Sequence, residues 1–345
     1  MLTFRGEMIM RAFIVRRLLL GIVVLLGVIT ITFILTRVIP SDPAAQWVGP
    51  RATPEQIKAA RIELGLDKPL YVQFIKYLQD LLKGNLGYSL KTHQPVLKEL
   101  ISHIPPTLEL VLLGTIGGVI IGLPLGVWSA KRKDEWFDHI CRFFAVGALS
   151  FPTFSIAILL QLIFYKWLGI LPMGDQLSTN IKLMYDIPKI TGFLTIDSLI
   201  TGNFVVFKDA LIHLILPAIT IATYPIGLVA RMTRSALLEI LNEDYIKAAR
   251  SYGLPERMIL WSYALKNSLG PTVTVVTLSI GYTLVNTFIV ESVFSWPGLG
   301  KYVSDAIISL DYPAIMGVTI FSACAYVILN LVADIIIALD PRVRI

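Results

Sequence analysis

Charge is scarce in this sequence, and with it the chemistry that charged and sulfur-bearing side chains support. Only 16% of the 345 residues are Asp, Glu, Lys or Arg, while 55% are hydrophobic; soluble domains hold about 25% charged residues. Such an apolar surplus needs lipid as part of its solvent. Cysteine is limited to Cys141 and Cys324, both in apolar stretches with no CxxC or neighbouring His, so they read as small buried hydrophobes and not as a disulfide or metal site. The four histidines, His93, His103, His139 and His213, are scattered without metal-ligand spacing. There is no HExxH, no G-x-S-x-G and no triad-like cluster. Gly298, Gly300 and Lys301 resemble a phosphate loop only superficially, because the upstream Gly and the following Ser/Thr are missing. No Lys/Arg run with interleaved aromatics argues for nucleic acid, despite a formal charge of +6. The expectation is a chain with no catalytic, cofactor or metal site, that is, not an enzyme.

What is present is hydrophobic length. Six stretches reach the roughly 20 residues that cross a bilayer, at 18–36, 107–130, 138–165, 211–233, 270–290 and 313–338. The first follows Arg11, Arg16 and Arg17 like a secretory signal, but it runs longer and no A-x-A cleavage site follows, so it reads as a retained span. Charges at mid-bilayer cost about 2.5–3.5 kcal/mol, so they belong at span ends, and they mostly fall there: Arg231 and Arg234 close the fourth span, Glu291 closes the fifth, Asp334 lies near the end of the sixth, and Arg142 lies in the first turns of the third, where it can snorkel. Lys and Arg concentrate before span one, between spans two and three, between four and five, and in the Arg342–Arg344 tail. With six spans these segments share one side, which predicts cytoplasmic termini.

Two segments on the other side are long. In 39–106, Thr53-Pro54-Glu55-Gln56 reads as an N-cap, a proline at N1 and a capping-box partner, with Gly65 ending the helix. A second amphipathic helix is predicted over about 69–83, closed by Gly84. Residues 166–210 show mixed charge and no clear period.

On the cytoplasmic side, 235–268 is too polar to span. Leu238, Leu241, Tyr245, Ala248, Ala249 and Tyr252 fall at helical spacing on one face, with Glu239, Glu243, Lys247 and Arg250 opposite. Gly253 can end that helix and Pro255 begin another. A hairpin of this kind fits either a groove on a partner or the inner lipid surface, since both bury one apolar stripe. In span five, Thr272, Ser279, Thr283, Asn286 and Thr287 make a polar face. It reads either as the wall of a translocation path or as hydroxyls bonded to their own helix; Asn286 favours the path.

The run Asp244-Tyr245-Ile246-Lys247-Ala248-Ala249-Arg250-Ser251-Tyr252-Gly253-Leu254-Pro255-Glu256-Arg257 resembles the cytoplasmic EAA loop of binding-protein-dependent ATP-binding-cassette (ABC) importer permeases. It is most similar to the first permease subunit of the oligopeptide/dipeptide (peptide/nickel) branch, with its D-Y-x-x-x-A-x-x-x-G-L pattern. Leu64-Gly65-Leu66-Asp67-Lys68-Pro69-Leu70, Gly84-Asn85-Leu86-Gly87-Tyr88-Ser89, Glu291 to Gly300, Asp311-Tyr312-Pro313 and Asp340-Pro341-Arg342 resemble the same branch. Lys247 stands where the name-giving Glu would be, and the later Leu-Pro of the general motif is absent at its spacing.

The resemblance implies an all-α integral membrane protein with six transmembrane helices and the type I ABC importer permease fold. Residues 1–105 would hold the first span and a folded extracytoplasmic segment, and 106–345 the permease core with its coupling hairpin at 235–268. Asp244, Lys247, Ala248, Ala249, Gly253 and Leu254 would face the ATPase; Ser279, Thr283, Asn286 and Thr287 would line the path. Implied partners are two ABC ATPases, a second homologous permease making a heterodimer, an extracytoplasmic binding protein and the bilayer, in the cell membrane. Peptides are the implied cargo, with oligosaccharides or nickel as alternatives. An ion-coupled secondary transporter would need paired mid-membrane acids and an inverted repeat, and neither is found.

Overall fold

The structure, a computed structural model, describes residues 2–38, 42–49 and 51–339, with side chains over 14–36, 42–49 and 51–335. The Asp340-Pro341-Arg342 tail and Arg344 lie outside them. In chain order the helices are α1 (Leu2–Val38), α2 (Pro43–Val48), α3 (Pro54–Glu63), α4 (Leu70–Leu82), α5 (Val96–Lys131), α6 (Trp136–Ser150), α7 (Thr153–Leu160), α8 (Thr179–Met184), α9 (Leu194–Ile200), α10 (Phe204–Leu241), α11 (Asp244–Ser251), α12 (Glu256–Met258), α13 (Lys266–Val293), α14 (Leu299–Ile308) and α15 (Tyr312–Leu339). π-helical turns follow α7 (Gln161–Trp167) and α12 (Ile259–Leu265). Among the described residues the β pairing is one isolated bridge, Tyr88 with Pro95.

Among the described residues five segments are long and apolar enough to cross a membrane: Ile14–Thr36, Val96–Lys131, Phe204–Leu241, Glu256–Val293 and Tyr312–Ile335. The sixth expected span, 138–165, is not one straight helix. α6 and α7 meet at 107°, and the cause is local. Proline brings no N–H to the ladder and pushes the residue before it out of the helical region; Phe151, before Pro152, sits at φ −78°, ψ 134°. Counting the bent pair as one span makes six. α10 has 38 residues, about 57 Å at 1.5 Å per residue, nearly twice the roughly 30 Å hydrocarbon core. It is therefore longer than the hydrocarbon core is thick.

The chain divides into two compact units, residues 1–105 with 297–327, and 106–296 with 328–345. In the first, the predicted caps are present. Gln56 N–H donates to Thr53 Oγ1 at 3.3 Å and Thr53 N–H to Gln56 Oε1 at 2.9 Å, so two orphan donors of α3 are satisfied reciprocally. Gly65 ends α3 at φ +67°. Two motif segments distant in sequence meet here: the Ser89 hydroxyl donates to the Asp311 carboxylate, which also accepts from Lys91 N–H and from Ala314 N–H in the first turn of α15, both at 3.3 Å. Tyr302 donates to Glu99 at 2.7 Å.

In the second unit, Gly114, Gly118, Gly122 and Gly126 recur every four residues along α5. A Cβ on them would stand 2.5 Å from Ile221 Cγ2, 2.5 Å from Pro225 Cβ, 2.9 Å from the Ile226 carbonyl and 2.7 Å from the Ala230 carbonyl. The absence of side chains lets α5 and α10 touch backbone to backbone, which is how apolar helices associate without a hydrophobic driving force between them. The 166–210 segment, periodless in sequence, is tied by carboxylates to backbone amides. Asp197 accepts from Ile190, Thr191 and Gly192 N–H, Asp209 from Ser178 N–H at 2.7 Å, and buried Glu109 of α5 from Thr195 N–H at 3.0 Å. Trp296 is buried with Phe294 and donates its indole N–H to the Pro106 carbonyl at 3.0 Å.

Candidate functional site

The polar hairpin leaves the end of α10 through Asn242 and Glu243, enters α11, turns, and returns through α12 into the long helix ending at Val293. The two-residue break between α10 and α11 resets the helical phase. The expected stripe is divided in consequence. Ile246 and Ala249 are the buried positions of α11, packed with Val127, Ala130, Leu237, Ile259 and Ala264. Tyr245, Ala248 and Tyr252 are exposed, Tyr252 to 86%. The apolar periodicity read from Leu238 thus marks the packed face only in part: Leu238, Leu241 and Ala249 lie against the cluster, and Tyr245, Ala248 and Tyr252 do not.

The turn itself is a Schellman motif. Leu254 N–H donates to the Ala249 carbonyl at 3.2 Å and Gly253 N–H to Arg250 at 2.9 Å, while Leu254 packs on the buried cluster. Gly253 takes φ +76°, a left-handed conformation that costs other L-residues about 1–2 kcal/mol. A Cβ there would meet nothing within 4 Å, so the requirement is conformational and not spatial. Arg250 reaches across the turn to Glu256 at 2.8 Å, and Lys247 pairs with Asp244 at 2.9 Å within α11. That hydrogen bond, with the lysine's charge, holds the Asp244 carboxyl below its ordinary value. The six residues expected at an ATPase interface, Asp244, Lys247, Ala248, Ala249, Gly253 and Leu254, are brought together on this hairpin; Ala249 is turned inward and Leu254 is half-buried.

Behind the hairpin lies a polar root that the sequence reading passed over. Asp138, at 0% exposure, accepts Arg234 Nε at 2.6 Å and Nη2 at 2.7 Å, Ser129 Oγ at 2.5 Å and Asp134 N–H at 3.0 Å. Two parallel charge-assisted bonds fix direction as well as distance. The signal available was that Asp138 is the sole acid of its apolar stretch, facing the basic end of another.

On α13, Ser279, Thr283 and Thr287 share a buried face with Thr272. Ser279 and Thr287 donate to carbonyls of their own helix, Val276 at 2.7 Å and Thr283 at 2.7 Å. Thr272 meets Thr233 of α10 at 3.3 Å. Thr283 Oγ1 is buried with no hydrogen-bond partner among the described residues. Asn286 is set apart. It is half-buried, donates to the Tyr282 carbonyl at 2.9 Å, and sits beside exposed Tyr282, Val285 and Ile289. Tyr282 stacks on Tyr224 of α10 at 4.2 Å.

Comparison with known proteins places this architecture. Residues 122–345 match the family "Binding-protein-dependent transport system inner membrane component", and residues 10–111 match its N-terminal companion, "Binding-prot-dependent transport system membrane comp, N-term". The chain is 44% identical to the probable D,D-dipeptide transport system permease protein DdpB of Escherichia coli (strain K12), over 93% of this chain and 94% of that one. It is 37% identical to the dipeptide transport system permease protein DppB of Alkalihalophilus pseudofirmus, over 97% and 100%. It is 34% identical to the oligopeptide transport system permease protein AppB of Bacillus subtilis, over 97% and 100%. These relatives are named as permeases, not enzymes. The chain is a multi-pass membrane protein and belongs to the family of binding-protein-dependent transport system inner membrane components.

Proposed function

We propose that this chain is one permease subunit of an ATP-driven importer of short peptides, forming half of the translocation path beside a second, related permease. The observation that carries the reading is the hairpin. Its exposed Tyr245, Ala248 and Tyr252 stand on a turn rooted in the bundle by Ile246 and Ala249, and relatives over nearly the full length are peptide permeases. Two cytoplasmic ABC ATPases receive this knuckle through Asp244, Lys247, Ala248, Gly253 and Leu254. Because the hairpin is packed on α10 and the chain after it, and Arg234 is forked to Asp138, ATPase closure moves the long helices as a body instead of bending a loop. ATP hydrolysis belongs to the partners.

In this reading the termini and the 235–268 hairpin are cytoplasmic. Residues 1–105 form a first span with a folded extracytoplasmic segment, 106–345 form the permease core, and an external binding protein delivers cargo to 39–106 and 166–210. Asn286, beside the exposed Tyr282 and Val285 of α13, borders the path, while Ser279, Thr283 and Thr287 stand behind it on the buried face.

The test is purification of the tagged chain in mild detergent, followed by uptake of labelled dipeptide into vesicles holding the recovered complex. Co-purifying P-loop ATPases and a second permease, with ATP-dependent dipeptide uptake, are the expected result. A clean monomer or homodimer, under conditions that preserve a control ABC complex, overturns it. ATP-driven uptake of an oligosaccharide or nickel with none of dipeptide would keep the machine and change the cargo.

A further inference from the structure

The first unit holds a cavity of about 780 Å³ remote in sequence from the hairpin, within the roughly 300–1,000 Å³ typical of ligand pockets. Its lining changes character from one source to the other. The last turns of the first span and the first turns of α15 supply Phe33, Thr36, Tyr312 and Met316; the segment beyond them supplies Leu64, Leu66 and Leu90 together with Glu63 at the end of α3 and Lys76 and Asp80 along α4. The three charged side chains form no ion pair with one another. Apolar lining from membrane-crossing helices and unpaired charge of both signs from a segment beyond them is the pattern an amphiphile satisfies.

A second observation concerns α4. Phe74 and Tyr77 pack against Phe33, with ring centroids at 5.1 and 6.0 Å. Tyr71, Ile75 and Leu82 follow four and seven residues apart on another face, and Leu82 is 90% exposed. An amphipathic helix pinned to the end of a span, with an apolar stripe outward, lies in the headgroup layer. Trp47, Tyr77, Tyr88 and Tyr312 ring the same cavity, and such aromatics concentrate at membrane interfaces.

We propose that this cavity binds one phospholipid with a zwitterionic aminophosphate headgroup, an acyl chain against Phe33, Tyr312 and Met316 and the headgroup at Glu63, Lys76 and Asp80. The ammonium meets the two carboxylates and the phosphate meets Lys76. Burial pushes the Tyr77 phenol well above its ordinary pKa, so it stays neutral and able to donate. The lipid fills the corner between α1, α4 and α15 and fixes the depth at which the 42–95 segment rides. This assignment does not depend on the cargo.

The test is native mass spectrometry of the full chain after exhaustive delipidation, titrated with phosphatidylethanolamine, phosphatidylglycerol and a dipeptide. Wild type should take up one phosphatidylethanolamine per chain in preference to phosphatidylglycerol. Met316→Trp, which fills the apolar end, and Lys76→Glu, which reverses the phosphate partner, should each weaken that uptake at least tenfold. If Met316→Trp fails to fold, the exposed Lys76 position decides. Equal uptake by wild type and Lys76→Glu overturns the assignment, and so does saturation by dipeptide in place of phospholipid.

Discussion

Arg234 closes a two-pronged bond on Asp138, Nε at 2.6 Å and Nη2 at 2.7 Å, joining the far end of α10 to the start of α6 just above the polar hairpin. Asp138 is wholly buried and Arg234 is 18% exposed. Removing the Asp138 carboxylate leaves the Arg234 guanidinium largely buried without its partner, a loss of the kind that costs about 3–5 kcal/mol, whereas Asp138 keeps Arg142 at 3.8 Å when Arg234 is changed. Asp138→Asn should therefore lower the melting temperature of the purified chain markedly. Arg234→Lys, which keeps the charge and loses the fork, should lower it less. Equal, small shifts for both would show that the pair is not a structural joint.

Gly253 makes a separate prediction, because its constraint is backbone conformation with open space around it. Gly253→Val should insert normally and lose ATP-driven uptake together with ATPase co-purification. Gly253→Asn, which tolerates the left-handed region, should retain more of both. Normal uptake by the valine variant at normal expression would sink the coupling role of the hairpin.

Along α5 the contrast is between neighbours. Gly126→Ala drives a methyl to 2.7 Å from the Ala230 carbonyl, whereas Gly117 has nothing within 4 Å. The first change should destabilise by about 1–3 kcal/mol through overpacking. Gly117→Ala should be neutral or gain up to about 1 kcal/mol of helix propensity. Melting curves of the two variants in one detergent check the sign of each.

Asn286 and Thr287 separate two roles for the polar face of α13. The Thr287 hydroxyl is bonded to its own helix, so Thr287→Val should leave uptake within about twofold, a change worth under about 1 kcal/mol. Asn286→Leu should slow peptide uptake severalfold with little change in melting temperature. Uptake unaffected by Asn286→Leu would remove it from the path.

Acid should loosen the 186–200 segment first. Burial acts to raise the Asp197 carboxyl, but hydrogen bonds from Thr191, Gly192 and Ile190 outweigh it and hold the group below its ordinary value. A depressed folded value means that the stabilisation is present in full above the unfolded carboxylate pKa of about 3.9. It fades as pH falls through the folded one. Protection factors for hydrogen exchange at 190–192, taken against the intrinsic rate at each pH, should be high at pH 7 and fall as pH drops below the ordinary carboxylate range, and Asp197→Asn should show the low protection already at pH 7. Equal protection of wild type and Asp197→Asn at pH 7 would contradict this.

Much of this architecture is legible before folding because its causes are short-range. A span is a length of apolar chain, and the α3 capping box and the Gly253 turn are closed by bonds between residues three to five apart. Thr53, Gln56, Gly65 and Gly253 therefore carried their meaning in the sequence, and the motif around Asp244–Gly253 carried the family. The break at Phe151-Pro152 is local too, yet the apolar run through it masked it.

Pairings across the bundle are of another kind. Asp138 and Arg234 lie 96 residues apart and Ser89 and Asp311 lie 222 apart; no spacing rule relates them, because helix packing alone sets which ends meet. The same holds for the face of α11 that is buried. Hydrophobic periodicity names a stripe, but the break at Asn242–Glu243 turned Ile246 and Ala249 to the core and left Tyr245, Ala248 and Tyr252 outside. By itself the sequence determined that this is a multi-span membrane protein with a glycine-ended polar hairpin. Only the tertiary structure decided which side of that hairpin is anchored and which is offered, since burial is a property of neighbours that the chain meets after folding.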